Sequence, residues 1–303
     1  AKLKQYTKDI HICGNRNSFS KTDHDATFMH MKEDYMRNGQ LKPGYNVNVA
    51  TCSDFIIGSY ISSDRNDVHT LIPFMEQLRK NYAGRNIGSV VVDSGYESEE
   101  NYCWFEAHPE TELYVKPSNH EAVKHRKYRT DISRRENMAY DAQTDTYTCA
   151  NGKLLQRTQE KKTHTASGLK IATSVYECNE CDGCPLKEKC IRACGSKKPL
   201  EERYKVIYVS KRFARQRQAM EAKISSPKGC LLRVNRSIQA EGNFAYVKQD
   251  LDFRRFLLRG NMKVAAEWLL FSLALNILHL HHKIQNRRLG SDLKIPSSFP
   301  AGL

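Results

Sequence analysis

Three consecutive valines closed by an acid, Val90-Val91-Val92-Asp93, constrain this chain more than any other stretch. A β-branched run reads as a buried strand. Buried strands of open α/β sheets deliver their last residue to the sheet rim, where ligands sit, and a carboxylate there is a candidate metal ligand. The residues that follow, Ser94-Gly95-Tyr96-Glu97-Ser98-Glu99-Glu100-Asn101-Tyr102, read as a turn entering a helix. Asp93 is therefore also readable as a helix cap. The two roles are compatible, because the turn after a strand is a helix entrance.

The flanking sequence places this strand in an α/β order. Residues 45–51 alternate as a strand does, residues 55–62 form a second β-rich run, and Cys52-Ser53-Asp54 is the turn of the hairpin between them. Leu71, Ile72, Met75 and Leu78 fall on one face of a helix over 69–82. After the strand to Asp93 come a helix around 99–107 and a strand at 113–115. Strand, strand, helix, strand, helix, strand is an α/β pattern. Ahead of it, residues 1–42 are polar, with a helix expected over 26–37 behind the potential caps Thr22, Asp23 and Asp25, and Pro43-Gly44 breaking the pattern.

From 117 to about 221 the periodicity dissolves into charged sequence with Gly, Asn and Thr turns, which reads as an insertion. Helical periodicity resumes near Glu241 and continues through Phe244, Val247, Phe253, Phe256 and Leu257, and Gly260-Asn261 punctuates it before an apolar helix from Met262. The expected organisation is a polar helical lead-in over 1–44, the first part of a core over 45–116, an insertion over 117–222, a helical second part of the core over 223–282, and a loose tail over 283–303 with Pro296 and Pro300.

Charge indicates the partner. The 303 residues carry a net +14, and residues 203–240 hold ten Lys or Arg against the single acid Glu221, a local +9. So concentrated a positive field favours a polyanion, most commonly nucleic acid, over a surface that is merely solvated. No signal-peptide pattern opens the chain, and Ala1 in place of Met reads as a processed or truncated start. The most apolar segment, 264–280, is interrupted by Glu267, Asn276 and His279 and is shorter than the ~20 residues a bilayer requires. It reads as a buried helix, with no membrane partner.

Five of the ten cysteines crowd into Cys178-x2-Cys181-x2-Cys184-x5-Cys190-x3-Cys194. That is metal-site spacing and points to a reducing, intracellular compartment. Cys178, Cys181, Cys184 and Cys190 are the expected ligands of a tetrahedral Zn²⁺, which would supply folding energy that an insertion poor in apolar residues lacks. An iron-sulfur cluster is the rival, although the interval of five departs from ferredoxin spacing. Inert buried thiols are disfavoured by the polar neighbours Asn179, Glu180, Asp182 and Lys187. Cys13, Cys52, Cys103, Cys149 and Cys230 read as ordinary small residues. His279, His281 and His282 read as cations or caps at a helix C-terminus.

Glu241 and Lys248, seven residues apart, fall on one α-helical face about 10 Å apart, a pair common on solvated helices. Their context carries more. Arg16-Asn17-Ser18-Phe19-Ser20-Lys21-Thr22-Asp23, Asp25-Ala26-Thr27-Phe28-Met29, Gly39-Gln40-Leu41-Lys42-Pro43-Gly44-Tyr45-Asn46-Val47, Asp93-Ser94-Gly95-Tyr96 with Glu99-Glu100-Asn101-Tyr102, and Glu241-Gly242-Asn243-Phe244 extend over nearly the whole chain. In these motifs the chain resembles the DDE transposases of bacterial insertion sequences, in the branch whose ribonuclease-H-like core is interrupted between its second Asp and its Glu.

The resemblance implies an α/β fold, a ribonuclease-H-like mixed sheet with flanking helices, interrupted by a Cys-rich insertion domain. It implies that Asp93 is the second catalytic acid and Glu241 the third, 241 minus 93 or 148 residues apart. Both would hold Mg²⁺ or Mn²⁺, since two hard cations neutralise phosphoryl oxygens and activate the entering oxygen. Lys248 is implied to grip the DNA end. The accompanying Arg is expected four residues before the Glu, where Ser237 stands, so Arg236 or Arg233 would serve. Lys211 and Arg212 of the basic run complete the expected DNA contacts.

The first Asp and the first core strand should precede Ala1. Asp54 is the internal substitute, although a turn Asp is ordinarily a turn former. The implied activity is metal-dependent phosphodiester hydrolysis and strand transfer at insertion-sequence ends, without a covalent protein intermediate. The implied partners are double-stranded DNA, both transposon ends and target, and further copies of the chain assembled on it, in the cytoplasm and associated with the nucleoid. The alternatives are a catalytically inactive, zinc-stabilised DNA-binding remnant and a general ribonuclease-H-like nuclease indifferent to transposon ends.

Overall fold

Ser53 and Asp54 both take positive φ, 53° and 72°, the backbone that lets a two-residue turn follow the twist of a β-hairpin. That turn joins β3 (Asn46–Cys52) to β4 (Phe55–Ser62), with a register shift between Ala50 and Thr51; β1 and β2 precede them and are given below. The computed structural model describes residues 2–31, 38–192, 198–290 and 293. The chain divides into two units, one of Ala1–Glu97, Trp104–Val115 and Lys223–Leu303, the other of Ser98–Cys103 and Lys116–Ala222.

In the first unit, Gly58 of β4 lies so close to the helix Leu71–Asn81 that a Cβ there would stand 2.5 Å from Leu78 Cδ2. Leu71, Phe74, Met75 and Leu78 are the buried face of that helix. A second core gathers Ile56, Val247, Trp268 and Leu275, with Val47, Val49 and Ile61 packed against it. Asn276 pins the long helix Asn261–Gln285 to β4, since its Oδ1 accepts from Ile56 N and its Nδ2 donates to Ile56 O, both at 2.8 Å.

Several expectations for this unit are corrected. Residues 27–29 are not helical but form β1 (Thr27–Met29), antiparallel to β2 (Lys42–Gly44); the remainder of the expected helix, 32–37, lies outside the described residues. Pro43 sits in β2 because a two-stranded ladder has open edges, where a missing N–H costs nothing. Asp23 and Asp25 are caps, but of another helix. Asp23 Oδ1 accepts from Gly260 N at 3.2 Å and Asp25 Oδ2 from Asn261 N at 2.8 Å, placing negative charge at the start of Asn261–Gln285. Lys2–Cys13 is a helix.

The apolar helix is not buried all round. Trp268 and Leu275 are enclosed, while Leu269, Leu270 and Ile277 are 63%, 69% and 62% exposed. Its 25 residues are by length and composition apolar enough to cross a membrane. Glu267 is nonetheless buried and accepts the Leu257 and Leu258 amides. His279 does not serve the helix end, because its Nε2 meets Asn243 Oδ1 at 2.8 Å.

The valine strand is β5 (Ser89–Val92), paired in parallel with β6 (Glu112–Val115). Its valines are half-buried rather than buried, since among the described residues β6 is the one strand bonded to it. The expected single mixed sheet is likewise not continuous: the described strands fall into four separate sheets. The architecture is a mixed α/β fold with several sheets and flanking helices.

The second unit is ordered where the sequence had lost its period. β7 (Ala139–Asp141), β8 (Thr146–Thr148), β9 (Leu154–His164), β10 (Lys170–Cys178) and β11 (Lys205–Val209) form a five-stranded antiparallel sheet in the order β11-β10-β9-β8-β7. Leu155, Tyr147, Tyr176, Ile207 and Val209 make its core. β9 hid from inspection because all but Leu155 of its eleven residues are exposed, so no alternation marks it. The basic run also conceals the helix Lys211–Ser225.

Candidate functional site

The site is built where β5 ends. Asp93 leaves the strand in extended backbone, and its Oδ1 accepts from Gly95 N at 2.9 Å, capping the 3-10 turn Ser94–Tyr96. Its Oδ2 faces Arg236 Nη2 at 3.2 Å. Arg236 closes the helix Pro227–Arg236, which starts firmly because Ser226 Oγ accepts from Gly229 N and Pro227 occupies the first turn. The other arm of the guanidinium, Nη1, meets Glu241 Oε1 at 3.2 Å, and Ser237 Oγ donates to Glu241 Oε2 at 3.1 Å. One cation thus joins the two acids.

Glu241 does not open a helix. The backbone runs on from Arg236 through a π-helical turn, Ser237–Glu241, a single α turn, Gly242–Ala245, and a second π turn, Tyr246–Asp250. Because π turns bond i to i+5, the α-helical phase is lost between residues 237 and 250. Two consequences follow. Glu241 and Lys248 are not separated by two regular α turns. Ser237 and Arg236 both reach Glu241, so the serine at the expected arginine position is a partner of the acid itself.

A further acid, unmarked in the sequence, stands beside Asp93. Asp67 lies in the 3-10 turn Asp67–His69 ahead of the helix Leu71–Asn81, and its Oδ1 accepts from Asn46 Nδ2 at 2.7 Å. A Cβ on Gly95 would sit 3.0 Å from Asp93 Oδ1 and 3.1 Å from Asp67 Oδ2, so a side chain there would press on both carboxylates. Tyr96 donates to Asn48 Oδ1 at 2.5 Å. Burial, followed by the charges of Asp67 and Asp93, raises its phenol well above the usual range, against the opposing pull of Arg236. Asp54, the substitute expected in the hairpin turn, instead pairs with Lys283 at 3.6 Å.

The basic candidates mostly have internal partners. Lys211 Nζ donates to Asp145 Oδ1 and Arg212 Nε to Glu99 Oε1, each at 2.7 Å. Arg233 Nη1 donates to Ile224 O at 3.4 Å. Lys248 is half-buried on the second π turn.

In the second unit Cys178, Cys181, Cys184 and Cys190 line one cavity of about 20 Å³, together with Cys149, Lys153, Lys187 and Lys205. Cys149, read from its isolated position as an ordinary small residue, also borders this cavity. Cys194 lies outside the described residues. Among the described residues every cysteine is free, and no group of three or more His, Cys, Asp or Glu side chains is arranged to hold a metal ion. Burial pushes the Cys178 thiol up to about 11 and raises that of Cys190.

Residues 148–281 match the family described as Transposase DDE domain. The matched stretch includes Arg236, Glu241 and all five cavity cysteines, whereas Asp67 and Asp93 precede it. No curated protein and no solved structure matches the chain.

Proposed function

We propose, from the match of residues 148–281 to a transposase DDE domain, that the chain acts in DNA transposition, hydrolysing phosphodiester bonds at insertion-sequence ends and transferring the freed strand to target DNA. One observation carries the reading: Asp93 and Glu241, remote in sequence, are held by a single guanidinium, Arg236, at 3.2 Å from each. In this reading residues 45–116 and 223–282 form a ribonuclease-H-like core interrupted by 117–222.

The donor set suits a hard cation. Asp93 and Glu241 offer carboxylate oxygens, which Mg²⁺ and Mn²⁺ prefer, and the positive charge of Arg236 already occupies the space between them. When bound, the metal supplies Lewis-acid stabilisation of the phosphoryl oxygens and an activated attacking oxygen. Ser237 orients the Glu241 carboxylate through its hydrogen bond, and the Gly95 amide orients that of Asp93. Once displaced from the acids, Arg236 becomes a bidentate donor for a phosphate, a geometry to which arginine is suited. Lys248, Arg233, Lys211 and Arg212 supply the remaining backbone contacts to double-stranded DNA, whose binding then weakens with salt. Copies of the chain assemble on the DNA, in the cytoplasm. Four of the clustered thiols hold Zn²⁺, with Cys178, Cys181, Cys184 and Cys190 as the set suggested by spacing.

Nicking of supercoiled DNA carrying insertion-sequence ends tests the proposal. Mg²⁺-dependent nicking that Asp93→Asn or Glu241→Gln abolishes, with DNA binding kept, is the expected outcome. Nicking that persists in both variants sinks the catalytic assignment. DNA binding with no nicking at all favours the inactive zinc-stabilised DNA-binding protein.

A further inference from the structure

The thiol cavity contains one cysteine more than a tetrahedral ion needs, and the extra one comes from a distant part of the chain. Cys149 follows β8 in a tight turn closed by Cys149 N to Lys153 O and Gly152 N to Cys149 O, both 2.9 Å, with Gly152 at φ 71° as that turn requires. It packs against the core that contains Cys178 and Cys181. Cys178, Cys181 and Cys190 are 1%, 7% and 9% exposed, so three thiols are enclosed. Among the described residues the candidates for a fourth ligand are Cys149 and Cys184, both half-buried.

We infer that Cys149, Cys178, Cys181 and Cys190 together form a zinc-thiolate site that fastens the β8–β9 turn to the far end of β10, leaving Cys184 unligated at its margin. The inference rests on the zinc reading above and changes its ligand set. Geometry favours Cys149. Both half-buried thiols border the void, but Cys149 is the one packed against the core that contains Cys178 and Cys181. The void, about 20 Å³, exceeds the 10–15 Å³ or so that one water-sized species needs, and it has room for little more than a single ion.

The charge balance agrees. Four thiolates around Zn²⁺ leave a net negative charge of about two, and three ammonium groups border the cavity. Each is anchored beside it: Lys153 to Glu180, Lys187 to the Glu201 carbonyl, and Lys205 to the Ser133 and Cys190 carbonyls. Lys205 N also donates to Cys181 Sγ at 3.4 Å, a contact that stabilises a thiolate and orients it. Cys181 Sγ donates to Cys178 O at 3.5 Å. Ligation would replace that contact with a metal–sulfur bond.

The energetic consequence lies in β9. A ligand set confined to 178–190 closes only short local loops, whereas Cys149 draws a hairpin with an almost wholly exposed strand into the same cross-link. Closing the longer loop removes more entropy from the unfolded chain.

The test uses the full chain expressed with zinc. Metal per chain is measured by plasma mass spectrometry, and each thiol's reactivity to iodoacetamide is mapped by peptide mass spectrometry before and after zinc removal by a chelator. One zinc per chain is expected, with Cys149, Cys178, Cys181 and Cys190 protected until the metal is stripped and Cys184 reactive throughout. Cys149→Ser is expected to lower zinc affinity at least tenfold, and Cys184→Ser to leave it unchanged. If zinc is bound but Cys184 is protected and Cys149 is not, the Cys149 assignment falls while the zinc reading stands. If the purified chain holds no zinc, or holds iron and sulfide, the zinc reading falls with it. Because the alkylation map is made on the unsubstituted protein, it decides the matter even where a variant does not fold.

Discussion

Asp93 and Glu241 are the two ends of one ion-pair bridge: Arg236 donates from Nη2 to the first and from Nη1 to the second, each at 3.2 Å. Two carboxylates separated by 148 residues of sequence are held near each other by a cation that the protein supplies itself. Without such a charge they would repel, and each would lose part of its reason to face the other.

Replacing the bridge is the first expectation. Arg236→Gln removes the charge between the acids, and because both carboxylates are substantially exposed, the loss of stability is small, about 0.5–1 kcal/mol. Affinity for Mn²⁺, followed by electron paramagnetic resonance, rises because the competing guanidinium has gone. An unchanged Mn²⁺ titration would show that the acids do not share a cation site.

Gly95→Ala probes the same acids from below. The added Cβ would stand about 3 Å from an oxygen of both Asp93 and Asp67, closer than ordinary contact, so one or both carboxylates must turn away. Weakened divalent-cation binding with a melting temperature lowered by only a few degrees is expected. A crystal structure of the variant with both acids unmoved would refute the crowding argument.

Asn276→Ala tests the tie between the long helix and β4. The substitution leaves Ile56 N and Ile56 O without the partners they have at 2.8 Å, at a cost of about 1–3 kcal/mol for the unsatisfied groups. Chemical denaturation measures this directly. Since Ile56 and Asn276 belong to one unit and the clustered thiols to the other, zinc content should not change.

Asp145 gives the second unit an acid-sensitive anchor. Burial raises its pKa, but hydrogen bonds from Lys211, Tyr176 and Tyr140 outweigh that and hold it at about 2. A carboxylate depressed on folding contributes stability that is complete above its unfolded pKa of about 4 and is lost as pH falls through its folded value. Asp145→Asn, which tolerates the same positive φ of 53°, should therefore destabilise the sheet at pH 7 and make little difference near pH 2. Equal destabilisation at both pH values, measured by circular dichroism, would contradict this electrostatic origin.

Features set by neighbouring residues were readable in advance. The hairpin over 46–62 follows from two β-rich runs and a short turn, and the cap at Asp93 follows from an acid two residues before a free amide. These elements depend on turn chemistry and side-chain alternation, which involve only a few consecutive residues. The exposed strand β9 failed that test because a strand supported by one buried residue, Leu155, has no alternation to detect.

The amino-acid order alone settled which short segments turn, pair locally or cap, because those preferences are spent within a few bonds of the residue that holds them. Tertiary structure decided the rest. It sent Asp23 and Asp25 to a helix more than two hundred residues away, and one π turn, Ser237–Glu241, brought Arg236 alongside Ser237 to the same glutamate. It also set Asp67 beside Asp93 and Cys149 beside Cys178. Such partners satisfy charge and hydrogen bonding across space, and no local periodicity records a neighbour that is reached only when the chain has folded.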